Sequence, residues 1–378
     1  MKERKISSEF TELIPGLPEE LAFECLTRLH YTAHRLGSQV CRRWRHLLRS
    51  REFYYHRQKT GHTHKAACLI QSISQSEPAC PNPGQSEPAG TSPVQSEHGE
   101  INPVPTELAG PKPAAHPSYG VTVFDPVSGT WDRVDPVPKY PNGLPLFCQV
   151  ASTEGKLVVM GGWDPVSWDP IKDVNVYEFA TRQWTRRKDM PASRSFFAAG
   201  ACGTRVYVAG GHDESKNALN SAWAYDLESD EWTELTRMSE ERDECEGLFV
   251  GSDFWVISGY GTESQGNFTA SADSFNVDSG QWIRIEDAWR ASQCPRSTVG
   301  LGRNGNLICW AELDPAVRIG ACGVDLGGRT LVTGSAYQGA PQGFFMVERK
   351  EGQIGKFVCM DVPGEFSGFV QSSCCVEV

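Results

Sequence analysis

The chain has 378 residues and a net charge of -11, unevenly spread: residues 1–65 hold 13 Lys/Arg against 7 Asp/Glu, leaving -17 for the rest. No run of about 18 or more apolar residues occurs and the first dozen residues are polar, so neither a membrane span nor a signal peptide is expected. The 13 cysteines are odd in number, show no Cys-x-x-Cys spacing and sit mostly in apolar runs (Cys148, Cys202, Cys309, Cys322, Cys359), which predicts a reduced chain of the cytoplasm, the nucleus or both.

Residues 10–57 are helical in pattern. Leu17-Pro18-Glu19-Glu20-Leu21 puts a proline where its missing amide is harmless and acids where the helix dipole favours them. Leu21, Ala22, Cys25, Leu26 and Leu29 then share a face. A second amphipathic run follows, with Leu36, Val40, Cys41, Trp44, Leu47 and Leu48 on its apolar side and Arg42, Arg43, Arg45 and Arg49 elsewhere; Ser50 is placed to cap a third piece. A helical unit of about 45 residues has difficulty burying enough surface alone, so some of this apolar face is expected to await a partner. The arginines read as a solvated face, not as a nucleic-acid site. His62 and His64 read as a surface pair, not a metal site.

Lys65 to Ser74 is a strand candidate. Residues 75–117, where Gln-Ser-Glu recurs at 75, 85 and 95 among Pro, Gly and Ser, have too few apolar residues to offset ordering and read as a disordered insertion. From Tyr119 a repeat begins. Its template is 194–238: apolar runs Phe196 to Ala201 and Arg205 to Ala209, the pair Gly210-Gly211, a polar loop, then Ala222 to Leu227, a turn, and Glu231 to Leu235 led by Trp232. Gly161-Gly162, Tyr177 and Trp184 form another copy, Ser258-Gly259, Phe275 and Trp282 a further one, and Phe124, Asp125 and Trp131 a partial one. The tryptophans recur at about 50 residues, the period of a kelch-type propeller blade. One four-stranded sheet cannot hide both faces, so such units pack radially. The domains expected are thus a helical unit at 10–57 and an all-β propeller at 65–378.

After Arg296 the pattern weakens: Thr298 to Leu301, Leu307 to Trp310, Ile319 to Asp325 and Leu331 to Ser335 read as strands without diglycine or spaced Trp, and Gly343 to Glu348 with Lys356 to Asp361 as the last pair. Gly368 to Val378 stands where a new first strand belongs, and the first blade lacks one, so the C-terminus is expected to complete blade one and close the ring. Six blades with a shortened fifth is the favoured count; five with an insertion is the alternative. Antiparallel topology puts the loops after the glycine pairs, the blade-to-blade connections and the 75–117 insertion on one face, with the helical head on the other.

These motifs carry a resemblance. Residues 119–290 resemble the kelch family, and Leu-Ile-Pro-Gly-Leu-Pro-Glu-Glu-Leu (13–21) with Val-Cys-Arg-Arg-Trp (40–44) resembles the F-box. The resemblance implies a non-catalytic subunit of a Skp/cullin/F-box ubiquitin ligase. Its Skp-type adaptor, and through it a cullin, would meet Leu13, Ile14, Pro15, Leu17, Pro18, Leu21, Cys25, Leu26, Val40, Cys41 and Trp44. Kelch adaptors of other ligases line the channel mouth with blade-start arginines, which implies client contacts at Arg194, Arg242 and Arg296; the alternative is that each arginine pairs with a neighbouring blade's acid. Trp163, Trp168, His212 and Tyr260 are candidate anchors.

The chain further resembles plant F-box/kelch proteins at 143–148, 210–218, 242–245, 259–266 and its Cys-Cys-Val-Glu-Val end. Members of that group act on phenylalanine ammonia-lyase or cytokinin response regulators. A kelch scaffold without a ligase is the competing reading. Neither catalytic nor cofactor motifs are found: no Gly-x-Ser-x-Gly, no P-loop, no Glu-xxx-Asp-xxx-His, and in the propeller outside the 75–117 insertion His212 is the only histidine.

Overall fold

The computed structural model describes residues 12–73, 117–302, 305–350 and 353–378. The 75–117 insertion lies outside them but for Pro117, as do positions 10 and 11 of the helical unit.

Four short helices come first: α1 (Glu19–Thr27), α2 (Tyr31–Val40), α3 (Arg42–Leu48) and α4 (Arg51–Lys59). The second amphipathic run is therefore two helices. Cys41 takes extended backbone (φ -156°, ψ 169°) and its Sγ accepts the Trp44 N–H at the start of α3, which breaks the chain direction there. Ser50 Oγ caps α4 by accepting the Phe53 N–H at 3.2 Å. Leu13, Ala22, Leu26, Leu48 and Phe53 form the small core, and Trp44 Nε1 donates to the Leu13 carbonyl at 2.6 Å, tying the incoming chain to α3.

Among the described residues, five antiparallel four-stranded sheets follow. Blade one is Val370–Glu377, Lys65–Ile73, Ser118–Asp125 and Thr130–Arg133, so the C-terminal strand is hydrogen-bonded to the first strand after the helices, with Cys68 opposite Cys374. Blade two is Gln149–Thr153, Lys156–Met160, Val174–Glu178 and Gln183–Arg186. Blade three is Ala198–Cys202, Arg205–Ala209, Ala222–Asp226 and Glu231–Glu234; blade four is Glu246–Val250, Asp253–Ile257, Ala272–Asn276 and Gln281–Ile285. Blade five is Ile319–Asp325, Arg329–Ser335, Gly343–Lys350 and Gln353–Cys359. The inner strands pack side by side in the order five, one, two, three, four.

Five blades, not six, is a correction to the favoured count. Val299–Leu301 and Leu307–Cys309 pair only with each other. The chain then turns into two 3-10 segments, Trp310–Glu312 and Pro315–Val317, the second capped by Asp314 Oδ1 on the Ala316 N–H, where a third strand would have to run. Trp310 carries this ribbon: its indole is buried against Gly300 and Gly323, each so close that a Cβ would lie under 2.5 Å from the ring.

The spaced tryptophans join successive blades. Trp184, Trp232 and Trp282 Nε1 donate to the carbonyls of Asp135, Lys188 and Thr236, each in the segment leaving the preceding blade, while their rings pack on Tyr177, Tyr225 and Phe275.

The helical unit sits on the face formed by the turns after the first and third strands. Arg51 binds Glu154 at 2.6 Å and Glu228 at 2.8 Å, Tyr55 OH donates to Glu154, and Arg49 faces Glu178 at 3.3 Å. Thr63 and Gln58 donate to Glu377 at the end of the C-terminal strand. Part of the charge asymmetry along the chain is thus used between the two units, basic head on acidic turns.

Candidate functional site

On the opposite face the chain passes from one blade to the next, and one residue at each of the crossings into blades two, three and four and into the two-stranded ribbon is held in the left-handed region: Phe147 (φ 57°), Phe196 (φ 56°), Glu244 (φ 51°) and Ser297 (φ 59°). That conformation is uncommon for residues with a Cβ, and it swings these side chains out of their strands. Phe196, predicted to open a strand, stands two residues before it. The loops after the glycine pairs are locked to the same crossings by isolated bridges, Leu146 to Trp163, Ser195 to His212 and Asp243 to Tyr260. Only glycine fits beside them: a Cβ on Gly211 (φ 79°) would lie 2.4 Å from the Ser195 carbonyl oxygen.

The result is an aromatic cluster. Phe147 and Phe196 have ring centroids 4.5 Å apart, Trp163 stands edge-on to both at 5.5 Å, and His212 is 5.3 Å from Phe196. Arg296 lies over the Phe196 ring at 4.3 Å and faces Glu244 Oε2 at 3.2 Å; Tyr260 OH donates to Glu244 Oε1 at 3.1 Å. His212 Nδ1 is 2.9 Å from Asp243 Oδ1, while His212 Nε2 and Trp163 Nε1 have no hydrogen-bond partner. Trp163, His212, Tyr260 and Arg296 therefore belong to one cluster, in which His212 and Tyr260 are buried at 4 and 6 % exposure, and Trp168 extends it outward at 41 % exposure, 6.3 Å from Trp163. Phe147 and Phe196 were missed, while Glu244 is the acid that the pairing alternative offers, and it meets Arg296. No residue type signals a left-handed crossing, although the fixed place of Phe147 and Phe196 two residues beyond Pro145 and Arg194 would have located them.

Arg194 and Arg242 do not belong to it. Both are buried completely, at 0 and 1 % exposure. Arg194 donates to the Gly210 and Ser221 carbonyls and to Ser221 Oγ, and burial lowers its guanidinium to about 10. Arg242 binds Asp273 Oδ2 at 2.6 Å, the Ser258 and Ser271 carbonyls and two hydroxyls. The partners lie in the arginine's own blade, so neither a client contact nor a link to the next blade is what these two provide. Arg296 differs because it is one residue out of register: Pro295, not Arg296, occupies their position, as the matching bonds from Thr298 N to the Pro295 carbonyl and from Cys148 N to the Pro145 carbonyl show. Arg296 pairs with an acid of the neighbouring blade and remains 30 % exposed along its side chain.

Further down, Gln149 to Ser152, Ala199 to Ala201, Glu246, Gly247 and Ser372 to Cys375 line the channel between the inner strands. Glu246 accepts the Ser297 and Gly247 N–H groups, and burial among these walls pushes its carboxyl up to about 7, against the donors and nearby Arg296. A carboxyl whose folded pKa is raised disfavours folding once ionised. Below about pH 4.5 it is protonated in both states and has no effect; its penalty grows as pH rises to about 7 and is constant above. The Glu246→Gln variant should lack this fall in stability, gaining most over the native chain above pH 7, as read from urea midpoints across that range.

The predicted adaptor residues divide. Leu13 and Leu26 are core at 4 and 1 % exposure, and Ile14 and Trp44 are half-buried against them. They support the unit from inside, so the contact surface implied for Leu13 and Leu26 is corrected. Pro15, Leu17, Pro18, Leu21, Cys25, Val40 and Cys41 are exposed, and Leu36, one turn before Val40 on α2, joins them.

The chain is thus a propeller that bears a helical unit with an uncovered apolar face on one side and an aromatic channel mouth on the other. Residues 14–56 match the F-box domain family, and 110–306 match the KLHDC2/KLHL20/DRC7 Kelch-repeats domain. The chain is 40 % identical over 313 residues to the F-box/kelch-repeat protein At2g44130 of Arabidopsis thaliana (80 % of this chain, 73 % of that one). It is also 40 % identical to SKIP20 over 289 residues (74 % and 67 %) and 33 % identical to At1g15670 over 388 (97 % and 100 %), both of the same organism. This chain belongs to the F-box/kelch-repeat proteins.

Proposed function

We propose that this protein is the substrate-recruiting subunit of a Skp/cullin/F-box ubiquitin ligase, without catalytic residues of its own. The F-box places Leu17, Leu21, Leu36 and Val40 against a Skp-type adaptor, and the channel mouth, where Trp163, Trp168 and Arg296 lie over the buried Phe196, His212 and Tyr260, takes the client. One observation supports this best: the uncovered apolar face and the aromatic mouth belong to units stacked on opposite faces of the propeller, so adaptor and client can be held at once. The resemblance to plant F-box/kelch proteins favours clients from phenylpropanoid metabolism or cytokinin response, met in the cytoplasm or nucleus.

Affinity purification of the full chain under proteasome inhibition, with quantitative mass spectrometry, tests both ends. The Trp168→Ala variant should lose client proteins about tenfold while retaining the adaptor, since an aromatic anchor at an interface contributes about 1–2 kcal/mol or more. Recovery of the same proteins with both chains removes the mouth as the client site. Recovery of clients with no Skp-type adaptor leaves a kelch scaffold.

A further inference from the structure

The junction between the helical unit and blade one brings together two histidines and a carboxylate that no sequence spacing connects. His30 precedes α2, His64 precedes the Lys65–Ile73 strand, and Asp125 ends the Ser118–Asp125 strand. His64 Nε2 is 3.0 Å from Asp125 Oδ1, His30 Nε2 is 3.1 Å from Asp125 Oδ2, and the three ligand atoms lie within 4.8 Å of one another. The imidazoles stack at 5.2 Å and present the same nitrogen to the same carboxylate.

The two halves of the cluster are unequal. Asp125 Oδ1 is well supplied: it accepts the Val127 and Ser128 N–H groups and meets His64. Asp125 Oδ2, on a residue only 2 % exposed, and the His30 Nε2 facing it at 3.1 Å have no other partner among the described residues, and their own contact is not aligned as a hydrogen bond. A buried carboxylate oxygen and a ring nitrogen left in this way carry a desolvation cost that a cation between them would remove. The other nitrogen, His30 Nδ1, is 2.9 Å from Thr32 Oγ1, the outer bond that fixes ring orientation in metal-ligating histidines. Arg57 holds the supporting chain, donating to the carbonyls of Thr27, Leu29 and His62 in the segments that lead into the two histidines.

We propose that His30 Nε2, His64 Nε2 and Asp125 Oδ2 form a binding site for a divalent transition-metal cation of zinc type, which pins the F-box unit to blade one. Zinc bonds of about 2.0–2.2 Å to nitrogen and oxygen in tetrahedral array set ligand atoms about 3.3 Å apart, close to the 3.1 Å between His30 Nε2 and Asp125 Oδ2, while the three ligand atoms span no more than 4.8 Å. A water reaching the cation from the solvent beside His30, whose side chain is 37 % exposed, would be the fourth ligand. Its consequence is mechanical: α1 and α2, which carry Leu21 and Val40, would be held at a set angle to the propeller.

The full-length chain, stripped with a chelator, is titrated with Zn(II) by calorimetry and with Co(II) by visible absorption, and melted with and without Zn(II). One equivalent of Zn(II) is expected, with tetrahedral cobalt bands and a rise in Tm. His30→Gln and Asp125→Asn should each weaken Zn(II) about tenfold or more and lose the Zn(II)-dependent rise. His30 is at the surface, so H30Q tests the site even where Asp125→Asn disturbs the fold. No stoichiometric binding by the native chain overturns the proposal, as does undiminished binding by H30Q; melting that drops equally with and without Zn(II) in the variants assigns the cluster to hydrogen bonding alone.

Discussion

A Leu21→Asp chain should fold as the native one does and fail to capture a Skp-type adaptor. Leu21 is 55 % exposed on α1 and packs into neither the F-box core nor the propeller, so the change should move stability by no more than about 0.5 kcal/mol. In a complex the same position would be covered, and a carboxylate there would be desolvated without a partner. A loss of about 2 kcal/mol or more, roughly thirtyfold in Kd, is the expected scale for an anchor residue. Leu26→Asp supplies the contrast. Leu26 is buried beside Ala22 and Phe53, so that variant should lose adaptor capture by unfolding the helical unit, visible as a drop in helical circular dichroism. Calorimetric titration of the full chain with purified adaptor separates the cases: unchanged affinity of Leu21→Asp would remove this face from the interface.

The Arg242→Ala chain should be the least stable of the blade-start variants, by roughly 3–5 kcal/mol. The guanidinium is almost wholly out of water and serves Asp273, two backbone carbonyls and two hydroxyls in blade four. Its removal leaves Asp273, 1 % exposed, with Ser239 Oγ as its remaining donor, and strips the Ser258 and Ser271 carbonyls of a partner. A buried carboxylate without its counter-charge is the costly outcome; the lost packing is secondary. Arg296→Ala makes the comparison sharp, because a partly exposed pair with Glu244 contributes no more than about 1 kcal/mol. Urea unfolding followed by tryptophan fluorescence should show a large fall in midpoint for Arg242→Ala and a small one for Arg296→Ala. Equal midpoints would mean that the arginine network does not hold the blade.

Much of the fold is legible along the chain because blade strands report on themselves. Arg205–Ala209 and its diglycine, or Ala222–Asp226 and the following Trp232, are patterns between near neighbours, set by pleat, turn chemistry and a repeated packing site. The segment around Trp310 looked like the start of a further blade for the same reason: its apolar runs are real. They bury against Gly300 and Gly323 instead of extending into a sheet, and nothing local distinguishes these two uses of an apolar strand.

The candidate site was legible in part. Trp163, His212 and Tyr260 stand on loops that topology alone sends to one face. The arginines of Arg194-Ser195, Arg242-Asp243 and Arg296-Ser297 read alike, which leaves client contact and acid pairing open for all three, whereas a one-residue difference at Pro295 sends the third outward to pair with Glu244. Leu21 and Leu26 share a helix face in the same way, yet only the second meets the core.

What the sequence by itself determined is the repeat, its four-strand unit, the F-box wording and the C-terminal strand's place in blade one, for each is written as spacing between residues close along the chain or as a missing member of a series. The tertiary structure alone decided the number of blades, which arginines stay in water, and the meeting of His30, His64 and Asp125 at one point. Those depend on how separately formed pieces pack: burial and charge pairing act between side chains tens of residues apart, and a periodic pattern carries no record of which distant surface each residue will face.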